Sequence, residues 1–247
     1  MAASRSDHLD PVEAVIFDWG GTLAEYALVE MEDLWRLAAR HLAREREDVV
    51  TAQLAAVEEA FWARCATHQR AGTLADLLSE AAALIGEDVA EAALEEAAVR
   101  YLDAWTPHIR HDPEAATTIA ALRARGLRIG LLSNTHWPRA FHERFLERDG
   151  LAGLIDRRLY TSEMEFMKPH PSAFRAALDA LGVEEPGRAV FVGDRPFDDI
   201  HGARSAGLRA VLRHNPDVPA YDVQPDARIE RLAELPAIID AWGVRGG

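Results

Sequence analysis

Three short apolar runs in this chain each end on a small polar or acidic residue, and that recurrence restricts the fold more than any other feature. Val12 to Phe17 leads into Asp18 and Gly20-Gly21, Leu127 to Leu132 into Ser133-Asn134, and Ala189 to Val192 into Gly193-Asp194. A further run covers Leu208 to Leu212. Runs of this length, rich in branched residues and bounded by glycine, read as buried strands. Helical patterns separate them: Asp112-Pro113-Glu114 opens a helix that Gly126 stops, and Pro171 to Leu181 and Asp198 to Ala206 have helical spacing. Alternating strands and helices predict an α/β fold with a doubly wound, Rossmann-like parallel sheet.

Residues 28–107 break this rhythm. They contain no strand pattern and carry four amphipathic stripes: Met31, Leu34, Trp35, Ala38 and Leu42; Leu54, Val57, Phe61 and Cys65; Leu74, Leu77, Leu78, Ala81 and Ile85; and Leu94, Ala97, Ala98, Tyr101 and Trp105. The stripes predict an all-helical insert whose apolar faces pack as a bundle. The expected organisation is a core of residues 1–27 and 108–247 with a helical cap at 28–107. No internal repeat or low-complexity linker interrupts either part.

Composition excludes several functions. A formal charge of -14 argues against binding nucleic acid, because such affinity comes mainly from Lys and Arg on phosphates. Cys65 is the only cysteine, which rules out an internal disulfide and a multi-thiolate metal site, so any metal must be held by oxygen or imidazole. No apolar run approaches the roughly 18 residues of a membrane span, and the first ten residues lack the pattern of a secretion signal. The expectation is therefore a cytoplasmic protein without a membrane partner.

In an open α/β sheet, ligands bind beyond the carboxyl ends of the strands, which makes neighbours of Asp18, Ser133 and Asp194. Asp18 and Asp194 can grip Mg²⁺, a hard cation that prefers carboxylate oxygens. The Gly20-Gly21 turn offers backbone N–H groups to phosphate oxygens, and Thr22 and Ser133 add hydroxyls. Lys168, the only lysine in the chain, adds a compact positive charge. Asp18 can then attack phosphorus and divide one difficult displacement into two easier ones.

Phe17-Asp18-Trp19-Gly20-Gly21-Thr22-Leu23, Leu132-Ser133-Asn134, Lys168-Pro169-His170-Pro171, and Val192-Gly193-Asp194 through Asp198-Asp199-Ile200 resemble, in order, the four motifs of the haloacid dehalogenase superfamily. The resemblance spans nearly the whole chain. It implies a capped hydrolase of a small phosphorylated metabolite, acting with Mg²⁺ through an aspartyl-phosphate on Asp18. By motif position it implies that Gly20 lends a carbonyl to the metal, Asp194 is a second direct ligand, and Asp199, with Asp198, holds metal-bound water or orients Lys168. Lys168, Thr22 and Ser133 would act on the phosphoryl group, with Gly20, Gly21 and Asn134 contacting substrate.

One departure stands out. Phosphatases of this superfamily carry a second aspartate two residues after the nucleophile, where it protonates the leaving group, and this chain has Gly20 there. Glu25, His136 and His68 are candidate substitutes, each equally readable as a surface or packing residue. Asp-Trp-Gly-Gly-Thr is similar to the phosphonoacetaldehyde hydrolase pattern, but those enzymes use a cap lysine and this insert has none. Haloacid dehalogenases have an aromatic residue at the Gly20 position, need no metal and lack the Gly193-Asp194 pair. A phosphate-binding or regulatory module without efficient turnover is the alternative from another functional class. Arg64, His68 and Arg70 on the insert could reach a distal substrate group or simply solubilise a helix, and Arg195 and His201 flank the fourth motif.

Overall fold

The computed structural model describes residues 10–85 and 89–244, with the Ile85 side chain outside that description. Six strands form one parallel sheet: β1 (Ala14–Phe17), β2 (Arg128–Ser133), β3 (Arg157–Tyr160), β4 (Ala189–Gly193), β5 (Arg209–Arg213) and β6 (Ala227–Ile229), in the order β3-β2-β1-β4-β5-β6. The central strands β1 and β4 are apolar throughout because helices cover both faces. Val15 and Phe17 of β1 point into one core with Ile129, Leu131, Val190 and Val192; Ala14 and Ile16 point into the other with Leu132 and Phe191. Helix α5 (Ala115–Arg123) covers the first face and α7 (Pro171–Leu181) the second. Fully burying a side chain such as Phe17 contributes about 1.5–3 kcal/mol. This period-of-two burial therefore fixes the register of the central strands.

The sheet order reverses at β1, which pairs with β2 on one side and β4 on the other. A crevice opens beyond the carboxyl end of a strand at such a reversal. Between β1 and α5 the chain forms four helices: α1 (Met31–Leu42), α2 (Glu47–His68), α3 (Leu74–Ile85) and α4 (Glu91–Trp105). α1 packs on both α2 and α4, and α2 on α3. The chain leaves and re-enters the core side by side: Glu25 N–H donates to the Arg110 carbonyl and Asp112 N–H to the Leu23 carbonyl, both at 2.8 Å.

The helical stripes pack as the sequence suggests, with Leu34, Trp35, Ala38, Leu54, Val57, Leu77, Ala81, Ala97 and Tyr101 all buried. Four elements escape the pattern reading: β3, β6, α6 (Arg139–Arg148) and α9 (Leu235–Trp242). The two strands are short sheet edges with polar residues, so they lack the apolar continuity that marks the centre. Asp198 to Ala206 begins as a wide helical turn over Pro196–His201 and tightens into the short α8 (Gly202–Ser205). Among the described residues, no helix is long and apolar enough to cross a membrane.

Candidate active site

Asp18 is the first residue beyond β1, and its N–H donates to the Val192 carbonyl at 2.8 Å. The chain then turns sharply, with Ala24 N–H on the Trp19 carbonyl at 2.7 Å. Gly21 has φ +80°, and a Cβ there would collide with the carboxylate of Asp194. Glycine is thus what lets the turn after Asp18 approach Asp194 so closely. The Gly21 N–H is engaged within the turn, on the Ala24 carbonyl at 2.8 Å, instead of standing open to a phosphate. Gly20 is different: nothing lies within 4 Å of where its Cβ would be.

Lys168 brings the acids together. Its Nζ donates to Asp18 Oδ1 at 2.6 Å and Asp199 Oδ1 at 2.7 Å, and only 1% of the residue is exposed. The other Asp199 oxygen accepts from Arg195 N–H at 2.9 Å, so both its oxygens are engaged by protein. Asn134 holds the lysine's main chain from two sides: Lys168 N–H donates to Asn134 Oδ1 and Asn134 Nδ2 donates to the Lys168 carbonyl, each at 2.9 Å. The geometry therefore gives Asn134 a holding role. Burial disfavours the Lys168 charge, yet Asp18 and Asp199 outweigh it and the net shift of its pKa is upward.

Asp18, Asp194 and Asp199 each present a carboxylate oxygen within 4.8 Å of the others, and all three are buried. Burial, with the neighbouring acids, lifts Asp18 to about 7 against the pull of Lys168. Burial and Asp199 lift Asp194 to about 6, partly offset by Asn215, whose Nδ2 donates to Asp194 Oδ2 at 2.7 Å. Half-buried Asp198 is raised to about 6 by the same two causes, burial and Asp199. The remaining Asp194 oxygen, Oδ1, is buried without a partner. An all-oxygen donor set, an orphaned carboxylate oxygen and surplus buried negative charge together fit a hard divalent cation.

A cavity of about 380 Å³ adjoins this cluster, lined by Asp18, Gly20, Gly21, Ser133, Asn134, Lys168 and Arg195 and, farther along, by residues of the insert. Thr22 does not line it; the side chain is fully buried with its hydroxyl unpartnered, and Arg213 hydrogen-bonds its carbonyl. Two other cavities are larger, about 530 and 560 Å³, but neither is lined by Asp18 or Lys168, so chemistry and not volume selects the site. Of the proton-donor candidates, Glu25 and His136 line the 380 Å³ cavity and exposed His68 does not. Arg64 pairs with Glu80 at 2.5 Å and Arg70 with Glu165 at 3.2 Å, both at exposed positions, and neither reaches the cavity. His201 stacks on Phe197 with ring centroids 5.5 Å apart.

Sequence reasoning missed Asn215 and Glu58. Asn215 sits two residues beyond β5, so extending the strand-end rule to that run would have reached it. Glu58 interrupts the apolar face of α2, four residues after Leu54 and three before Phe61, where a charge is unexpected.

Comparison with known proteins adds a lineage to this geometry. A family model described as a haloacid dehalogenase-like hydrolase matches residues 12–207. A phosphoserine phosphatase of Thermus thermophilus is 41% identical over 128 residues, which are 50% of this chain and 49% of that protein, so the chain spans about half the length of this relative. A phosphoglycolate phosphatase of Rhodospirillum rubrum is 32% identical over 90% of this chain and 86% of its own length. Among solved structures, a 2-haloacid dehalogenase of Pseudomonas syringae pv. Tomato DC3000 superposes with a TM-score of 0.69 at 26% identity, covering 94% of this chain and 100% of that one.

Proposed function

The chain belongs to the haloacid dehalogenase-like hydrolases, and from that premise we propose that it hydrolyses a small phosphorylated metabolite through an aspartyl-phosphate on Asp18. The observation that carries this reading is the buried cluster of Asp18, Asp194 and Asp199 around Lys168, beside a cavity open to a ligand. Residues 28–107 act as the cap that excludes water and selects the substrate. Asp194 and its unpartnered oxygen favour phosphatase over dehalogenase chemistry, because displacing a halide from carbon gives no use for a second strand-end carboxylate.

In this reading Asp18 Oδ attacks phosphorus as the ester oxygen departs on the opposite side, and water later attacks the phosphoryl group to free phosphate and regenerate the carboxylate. Lys168 offsets repulsion between Asp18 and the anionic phosphate and stabilises charge on the equatorial oxygens, while Ser133 donates its hydroxyl to one of them. Asn134 keeps Lys168 in place, and Asp199 holds its ammonium between two carboxylates. Mg²⁺, held by Asp18, Asp194 and the Gly20 carbonyl with Asp199 behind them, would neutralise further phosphate charge when bound.

Gly20 supplies no proton to the leaving group. Positioned acid–base catalysis is worth roughly 10²–10⁴-fold, so leaving groups that depart unaided, such as aryl and acyl phosphates, should be favoured over sugar phosphates. The same feature supports the second reading, a module that binds phosphate compounds without efficient turnover. Phosphate release from 4-nitrophenyl phosphate separates the two: the enzyme releases phosphate in the presence of Mg²⁺ and loses that activity in Asp18→Asn. Tight binding of phosphate mimics without turnover would favour the module.

A further inference from the structure

Glu58 is the only buried acidic side chain of the insert among the described residues, with 2% exposure. Its carboxylate accepts from Trp35 Nε1 at 2.6 Å and from the Tyr101 hydroxyl at 2.9 Å, and both donors are neutral. Among the described residues, the one basic group within 4.0 Å of it is His136, with Nε2 3.7 Å from Glu58 Oε1. Burial drives the His136 pKa down to about 3, which leaves the ring uncharged at neutral pH. Glu58 is thus a buried carboxylate with hydrogen bonds but no countercharge, an arrangement that costs free energy unless a cation arrives or a proton is taken up.

Glu58 lines the same cavity as Asp18. Apart from Lys168 and Arg195, which belong to the acid cluster, no Lys or Arg among the described residues lines that cavity. Aromatic side chains share that lining: Trp62, Trp105, Trp137 and Tyr26. Trp105 and Trp137 have ring centroids 4.9 Å apart, and Trp62 lies 5.4 Å from His136. Clustered aromatic rings beside an anion are the surroundings in which an organic ammonium group is stabilised, since ring faces attract the cation and such ions are cheaply desolvated.

We propose that the cavity takes the phosphate ester of an organic cation, with the phosphate against Asp18 and Lys168 and an amine or quaternary ammonium group against the indoles beside Glu58. The phosphate end rests on the function proposed above; the cationic end rests on Glu58 and its aromatic neighbours.

Choline phosphate and 3,3-dimethylbutyl phosphate have nearly the same shape and differ in the charge of the head group. Titration calorimetry of both into full-length Asp18→Asn with saturating Mg²⁺ should show choline phosphate binding at least about tenfold more tightly, the scale of a desolvated cation–aromatic contact. Adding Glu58→Gln should narrow the ratio to within about threefold, and Trp62→Leu serves the same purpose should the Glu58→Gln change disturb α2. Equal affinities, a preference for the neutral compound, or no binding of either would overturn the assignment. Release of phosphate from 4-nitrophenyl phosphate by the wild type tests the hydrolase reading separately: release without cation preference sinks only this inference, and preference without release sinks only that reading.

Discussion

Mg²⁺ affinity should rise steeply between pH 6 and pH 8. Asp18 and Asp194 are buried side by side and titrate at about 7 and about 6 in the folded protein, both above the ordinary value of 3.8. A divalent cation needs the two carboxylates free of protons. At pH 8 nearly every molecule offers both. At pH 6 most molecules hold a proton on one or both, so affinity falls by about an order of magnitude. Calorimetry in buffers of different ionisation enthalpy should also count about one proton released per ion at pH 6 and almost none at pH 8. The same shifts set the stability of the metal-free protein. A carboxylate whose folded pKa is raised holds more protons folded than unfolded, so metal-free stability falls as pH climbs from about 4 to about 7. Mg²⁺ should therefore raise Tm more at pH 8 than at pH 6. An affinity flat across this range, or tighter at pH 6, would refute the assignment of these acids to the ion.

Two substitutions test the rest of the site. Gly20→Asp should raise turnover of sugar phosphates by about tenfold or more, since acid catalysis is worth roughly 10²–10⁴-fold and nothing within 4 Å obstructs a Cβ at Gly20; an unchanged or lower rate in well-folded protein would speak against a missing proton donor. Lys168→Met leaves Asp18 and Asp199 buried without their shared cation, at a cost of about 3–5 kcal/mol in urea unfolding near neutral pH, and Lys168→Met/Asp199→Asn should recover part of it. If the two losses simply add, the lysine and the acids are not one unit.

The central architecture was legible because its physics is local. Buried parallel strands must be apolar on both faces, and the residue that ends each one is placed by topology, so Asp18, Ser133 and Asp194 could be brought together on paper before any coordinates. The edges resisted for the opposite reason: β3 reads Arg-Arg-Leu-Tyr, and its pairing with β2 supplies an order that its own composition does not announce. Asn134 shows a different limit. Its motif marks it as part of the site, but only the fold shows that both ends of its amide are occupied by the Lys168 main chain. Glu58 could be seen as an intruder in an apolar stripe, whereas its position on the Asp18 cavity depends on how α2 lies over the core.

The charges left unbalanced explain what the protein must still acquire. Three buried carboxylates, Asp18, Asp194 and Asp199, surround one buried ammonium, Lys168, a local deficit of two positive charges. The deficit is visible as the upward displacement of Asp18 and Asp194, which hold protons when they lack cations. A divalent ion is the smallest addition that cancels it, and the acids are already gathered around the space it would need. On the lining of the same cavity Glu58 repeats the pattern with a deficit of one. Hydrophobic side chains of similar volume would have been less costly at either place. Uncompensated acids at both places fit the proposed contents, a metal beside Asp18 and a cationic head group beside Glu58.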